Sequence, residues 1–159
     1  MAHAFYVTIR GATQGTFKGQ GSGPDKGKIP GVAFSYGIKT LIDDVTGVPS
    51  GKRQHKPVVI TKEWGAATPQ IYQATVTNEV LKSVLCEFVN VNATGVEQTA
   101  FTIELTNATI VDFDGSVHFG EAGGPVVDTR ELERLSFVFQ KITITSVTGD
   151  TTTTDDWTP

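Results

Sequence analysis

The chain of 159 residues has a net charge of −4 and is 38% hydrophobic, which fits one globular domain that buries a core without disulfides or metals. The negative charge argues against general nucleic-acid binding, which needs a cationic face, and the single cysteine, Cys86, excludes an internal disulfide. No apolar run reaches the length of a membrane span. The N-terminal residues lack the pattern of a cleaved signal peptide, so we expect a cytoplasmic protein or one exported without that signal.

Alternating apolar and polar residues predict β-strands through most of the chain. Between the first two strands, residues 11–31 are rich in glycine and proline, which is typical of a long surface loop. A second long loop is expected from Asp43 to Pro57. The predicted strands cover residues 5–9, 32–39, 58–63, 80–91, 101–105, 109–113, 117–119 and 133–147.

One short helix and one irregularity interrupt the strands. Thr68 and Pro69 offer a cap and a first helical position, so we predict a helix over residues 68–78 that leans on the sheet. In the last strand, the apolar phase slips by one residue between Phe139 and Ile142, which predicts a β-bulge near Gln140 and Lys141. Asp114 and Gly115 predict a turn.

These elements predict a mainly β protein, a small antiparallel β-barrel of two sheets with one short α-helix packed on its flank. We expect a single domain over residues 1–148. The threonine- and aspartate-rich residues 149–159 are expected to form a flexible tail.

The sequence contains no recognisable catalytic set. Its three histidines are far apart in sequence, Cys86 has the apolar neighbours Leu85 and Phe88, and no serine lies in a nucleophile elbow. We therefore expect no enzyme activity, no cofactor and no metal.

A basic cluster of Lys52, Arg53, His55 and Lys56 precedes the third predicted strand. Three interpretations stay open: a solvated loop, a site for phosphate or nucleic acid, or a surface that meets an acidic patch on a second copy of the chain. Acidic residues for such a contact exist at Asp43, Asp44, Asp112 and Asp114 and in the tail. The pair of aspartates is more typical of a solvated turn than of an acid/base pair.

Residues 51–72 (GKRQHKPVVITKEWGAATPQIY) resemble the Hcp (haemolysin-coregulated protein) family, the tube protein of bacterial type VI secretion systems. Further segments of this chain also resemble the family, in the same order along the sequence. They comprise residues 5–9, residues 32–39 with Tyr36 and Gly37, the step Leu105-Thr106-Asn107-Ala108, and residues 135–142.

The resemblance implies a structural subunit that forms rings of six, which stack into a tube that carries or delivers small effector proteins. It implies a spike protein of the VgrG type and a contractile sheath as partners, and passage from the bacterial cytoplasm to the exterior or into target cells. No nucleic acid and no membrane insertion are implied. The family's loop, here residues 43–57, helps rings stack, which makes Asp43, Asp44, Lys52, Arg53, His55 and Lys56 the expected interface residues.

The alternative is a monomeric ligand- or carbohydrate-binding β-barrel module. In that case the glycine-rich loops at residues 11–31 and 120–129 would form the pocket.

Overall fold

The computed structural model describes residues 4–19 and 27–157, and in this part of the chain it has one antiparallel nine-stranded sheet and one α-helix. The elements are β1 (Ala4–Gly11), β2 (Gly15–Thr16), β3 (Ile29–Pro30), β4 (Ala33–Ile42), β5 (Pro49–Glu63), α1 (Thr68–Thr77), β6 (Leu81–Val91), β7 (Glu97–Ser116), β8 (Leu132–Ser146) and β9 (Thr151–Asp156). The strand order is β2-β1-β6-β7-β8-β5-β4, with β3 paired to β1 and β9 paired to β8. The mainly β class with one helix is confirmed.

The sheet curls around its core without closing into a barrel. Its hydrogen-bonded path ends at β2 and β4, and the chain crosses between β1 and β5 at Gly31 and Val32. The Gly31 amide donates to Phe5 O at 3.0 Å, and the Val32 amide donates to Thr61 O at 2.7 Å. A side chain on Gly31 would collide with the Phe5 ring, so glycine permits this close crossing.

The core lies inside the curl and consists mainly of aliphatic side chains from β1, β5, β6, β7 and β8. Aromatic rings close one end of it. Phe34 of β4 meets Phe88 of β6 at 5.1 Å between ring centroids and Phe5 of β1 at 5.9 Å, both edge to face. This geometry suits aromatic pairs and ties the last strand of the path to the first ones.

The sheet bends along a line that crosses Asn107. The buried phase changes on β7 between Leu105 and Ala108, and on β8 between Phe139 and Ile142. Because both strands change phase together, the ladder keeps its register here, and the predicted bulge near Gln140 and Lys141 is wrong. Asn107 makes the bend instead, with φ of 53°, and its Nδ2 donates to Gln140 Oε1 at 2.9 Å. The register shift between β7 and β8 lies at residues 110–112.

Helix α1 packs on β7, as expected for a helix that leans on the sheet, and its buried residues are Ile71 and Ala74. The predicted Thr68 cap is wrong, because Ala67 holds the N-cap position without a side-chain bond. Thr68 Oγ1 is used elsewhere: it accepts from Gly65 N at 2.9 Å and donates to Glu133 Oε1 at 2.7 Å.

Over the described residues, no helix is long and apolar enough to cross a membrane.

Two turn and loop predictions change in the structure. Strand β7 continues through Asp114 and Gly115, which pair with Arg134 and Glu133 of β8, so the turn predicted there is wrong. Residues 117–119 are not a strand. The glycine-rich loop includes the short strands β2 and β3, while its residues 20–26 lie outside the described part.

Residues 151–156, which belong to the expected tail, form strand β9. Threonine is β-branched and favours strands. Here two pairs of threonine hydroxyls bond across the ladder, Thr143 with Thr154 at 3.1 Å and Thr145 with Thr152 at 2.9 Å. The sheet therefore continues past residue 148.

Candidate subunit interface

The expected loop over residues 43–57 is largely a β-hairpin, so that prediction is wrong in form. Strand β5 begins at Pro49 and pairs with β4 along Gly37↔Lys56, Ile38↔His55, Lys39↔Gln54 and Thr40↔Arg53. We call residues 37–56 the arm. Both strands of the arm are mostly exposed, in contrast to the buried half of β5 that follows Pro57.

Asp43 organises the turn at the tip of the arm. Its Oδ1 accepts from the amides of Val45 at 2.7 Å and Thr46 at 3.2 Å. Its own amide donates to Val48 O at 2.8 Å, and Gly47 closes the turn with φ of 69°. A carboxylate that fixes its own turn in this way is structural. Asp44, the other predicted interface acid, is exposed beside it.

The arm exposes an unusual amount of apolar side chain. Val45 at the tip is 93% exposed. Large hydrophobic residues elsewhere on the arm are also exposed: Ile38, Leu41, Ile42 and Val48. Exposed apolar side chains concentrated on one hairpin favour contact with another surface.

The predicted basic cluster divides between the two faces of the arm, because neighbours on a strand point in opposite directions. His55 and Arg53 point to the inner face, toward β8 and β9, whereas Lys52 and Lys56 point outward. On β4, Lys39 shares the outer face, since it pairs with Gln54. The outer face of the arm is thus cationic, whereas the inner face makes contacts with β8 and β9 of the same chain.

Arg53 and His55 both bind Asp155 of β9. Arg53 Nε and Nη2 donate to the two carboxylate oxygens of Asp155, each at 2.6 Å. His55 Nε2 lies 2.7 Å from Asp155 Oδ2, and its side chain is only 7% exposed. The hydrogen bonds from Arg53 and then from His55 lower the pKa of Asp155 to about 2. Asp155 also raises the pKa of Arg53 through the same bonds.

Trp157 completes this contact. Its indole Nε1 donates to Phe139 O at 2.7 Å, and its amide donates to Gln140 O at 3.2 Å. The His55 ring lies 5.2 Å from the Phe139 ring and 5.3 Å from the Trp157 ring. We call β9 together with Trp157 the C-terminal clasp. The sequence pattern did not reveal it, although a threonine run that ends in Asp155-Asp156-Trp157 combines strand propensity with anchoring side chains.

The sequence analysis also did not predict a buried ion pair at the other end of β5. Lys62 Nζ donates to Glu133 Oε2 at 2.9 Å and to Glu63 O at 2.8 Å, and both side chains of the pair are almost fully buried. Thr68 Oγ1 donates to the second oxygen, Glu133 Oε1. The network joins β5, β8 and the start of α1, at the end of β5 that lies away from the arm.

A second acid, Glu79, anchors the turn after β1. Its Oε2 accepts from the amides of Thr13 at 2.9 Å and Gln14 at 2.8 Å, and Gln14 Nε2 donates to Oε1 at 3.0 Å. Burial by itself raises the pKa of Glu79, but these bonds outweigh it and lower the pKa. The contact is structural and lies far from the arm in sequence.

In the part of the chain that the structure describes, the remaining candidates for chemistry do not form a site. Burial raises the pKa of the Cys86 thiol to about 12, as befits a core residue. Within residues 4–19 and 27–157, no group of three or more His, Cys, Asp or Glu side chains is placed to hold a metal ion.

One apolar cavity lies away from the glycine-rich loops that the alternative function would use. It measures about 390 Å³ and opens between β4 and the strands β6 and β7, lined mainly by Phe34, Tyr36, Phe88 and Phe101. Its wall is strand residues at the aromatic end of the core.

Comparison with known proteins gives one consistent relationship. The family model described as "Type VI secretion system effector, Hcp" matches residues 6–145. The major exported protein of Pseudomonas aeruginosa is 31% identical, with 99% of this chain and 96% of that protein covered.

Solved structures agree with this relationship. The Hcp1 protein of E. coli EAEC 042 superposes with a TM-score of 0.84 at 27% identity, covering 97% of this chain and 98% of that one. The secreted protein Hcp3 of Pseudomonas aeruginosa has a TM-score of 0.76 at 26% identity, covering 97% and 99%. Since the family model spans most of the chain and a relative at 31% identity covers nearly all of it, the chain belongs to the Hcp family of type VI secretion system proteins.

Proposed function

We propose that the protein is the structural subunit of a type VI secretion tube. Six copies form a ring, rings stack into a tube, and the tube leaves the cell with small effector proteins in its lumen. The spike protein of the VgrG type and the contractile sheath are its further partners. Family membership supports this proposal, and so does an export-related name on the relative from Pseudomonas aeruginosa.

The arm is the observation that carries the proposal. A hairpin with the apolar residues Ile42, Val45 and Val48 exposed gains by contact with another copy, because each buried apolar group leaves water. Strand β4 is also the last strand of the hydrogen-bonded path, so its outer edge is open over the described residues. Open edges invite pairing unless they are covered, and closed rings cover them.

The proposal assigns no catalysis to the chain. What the surface offers is association: an apolar tip, a cationic outer face with Lys39, Lys52 and Lys56, and an overall acidic protein for it to meet. Charges of this kind set encounter rate and register more than affinity.

Negative-stain electron microscopy and native mass spectrometry of the full chain test the proposal. We expect six-subunit rings for the native sequence, and loss of rings or of stacking for Val45→Asp, with an unchanged midpoint of urea unfolding. Val126→Asp is the matched control, since Val126 is 102% exposed in the loop before β8 and Val45 is 93% exposed.

A protein that stays monomeric at high concentration in every buffer would contradict the tube function. Equal loss of assembly in both valine variants, or in neither, would contradict the role of the arm.

A further inference from the structure

Strand β8 presents one edge to two different strands in succession. Its first half pairs with β5, from Glu63↔Leu132 to Val58↔Phe137. Its second half pairs with β9, from Lys141↔Asp156 to Ser146↔Thr151. Strand β5 therefore leaves β8 near Pro57, and the C-terminal clasp fills the edge that β5 has vacated.

Over residues 49–56, strand β5 makes no ladder pairs with β8, so the arm is not hydrogen-bonded to the strand beneath it. Its two strands pair with each other, and a two-stranded ribbon alone is marginally stable in water. Beneath it lies an apolar cavity of about 120 Å³, lined by residues of both sides that include Ile38, His55, Phe139 and Ile142. The arm is thus not packed tightly onto β8, and space exists for it to change its angle.

The clasp supplies the contacts that cross this gap. Asp155 accepts two hydrogen bonds from Arg53 and lies 2.7 Å from His55 Nε2, all on the inner face of the arm. Trp157 closes on the His55 ring and is itself pinned to Phe139 O. A bidentate arginine–carboxylate pair fixes orientation as well as distance, because its two bonds are parallel.

We propose that the C-terminal clasp sets the angle of the arm, with Asp155 and Trp157 as positioning residues for the surface that meets the next copy. The structural part of this inference concerns one chain, and its consequence for assembly rests on the proposed function. Loss of Asp155 frees the arm to move over the cavity while the rest of the sheet stays intact.

Hydrogen–deuterium exchange of the full chain, read by mass spectrometry, tests the clasp directly. In Asp155→Ala we expect amides of residues 37–56 to exchange about fivefold or more faster, and those of β6 to be unchanged, because arm opening is a local event. Asp128→Ala is the matched control: Asp128 also pairs with an arginine, Arg130 at 2.8 Å, and also has a pKa lowered to about 2. That pair lies in the loop before β8, away from the arm.

A reversed pair distinguishes positioning from general damage to the fold. Arg53→Asp alone should loosen the arm as Asp155→Ala does, and combining it with Asp155→Arg should restore at least half of the lost protection. All variants are compared in the same oligomeric state, checked by native mass spectrometry, so the exchange result is readable even if no ring forms. Unchanged exchange in the arm of Asp155→Ala, an equal change in Asp128→Ala, or no recovery in the reversed pair would overturn the proposal.

Discussion

At the scale of single residues, one charged pair is buried as completely as the aliphatic core. Lys62 and Glu133 are 71 positions apart in the chain, yet each is 1% exposed and they share a hydrogen bond. In the sequence, Lys62 and Glu63 read as a charged step between a strand and a corner. The sequence identifies Lys62 as a lysine, but its burial depends on the strand that packs beside it, here β8 with Glu133.

Replacing only one member of this pair should be costly. In Lys62→Met, the Glu133 carboxylate stays buried without its cation, and we expect a loss of about 3–5 kcal/mol in the free energy of unfolding. Urea unfolding followed by circular dichroism measures it. The double variant Lys62→Met with Glu133→Leu should recover most of the loss, because apolar groups can replace a buried ion pair nearly without cost. A single variant within about 0.5 kcal/mol of the native protein would show that the pair is not buried as described.

At the scale of elements, the predictions found the strands with one buried face, and the two longer strand segments that they missed, residues 49–56 and 151–156, contain no fully buried side chain. Residues 5–9 alternate because Phe5, Val7 and Ile9 face the core, and they fall within β1. Residues 49–56 of the arm have no buried face, so they carry no apolar alternation, and glycine and lysine there are typical of a loop. Strand β9 also has no buried face, so the sequence pattern did not reveal it. Paired threonine hydroxyls and the contacts of Asp155 hold it in place, rather than the core.

The bend in the sheet allows a test of the left-handed backbone conformation of Asn107. Asn107 has φ of 53°, where a residue with a Cβ is disfavoured and glycine is not. We expect Asn107→Ala to lower the free energy of unfolding by about 1–2 kcal/mol. Asn107→Gly removes the same bond to Gln140 without the steric penalty, so it is the control and should be more stable than the alanine variant. Thermal unfolding compares the two, and an alanine variant as stable as the glycine variant would contradict a strained bend.

At the scale of the whole molecule, the ordered set of short matches indicated the correct family even though several local elements were misassigned. A family likeness depends on the order of many segments, whereas each segment's conformation depends on its partners in space. The fold class was therefore predictable from alternating residues such as Phe5, Val7 and Ile9, and the single helix from Pro69 at its start. The division of the basic cluster was not, because Asp155 reaches Arg53 across 102 positions.

Cys86 reports on the stability of the entire fold. It lies on β6 between β1 and β7 and is fully buried, and burial raises the pKa of its thiol to about 12. We expect a thiol reagent at neutral pH to label it only when the sheet opens, so labelling in Lys62→Met should accelerate about tenfold for each 1.4 kcal/mol of lost stability. A thiol placed at the arm tip by Val45→Cys is the control and should react at the rate of a free thiol. Rapid labelling of Cys86 in the native protein would contradict its place in the core.

The division of the β8 edge between two strands also has a mechanical meaning. A pull on the C-terminus acts on the end of β9, beside Trp157, where ladder bonds can break one after another as in a zipper. A pull along β1 instead loads many bonds to β6 at once, in shear. Tension applied at the C-terminus would therefore first break the contacts of Asp155 with the arm. The arm would detach from β9 before the rest of the sheet unfolds.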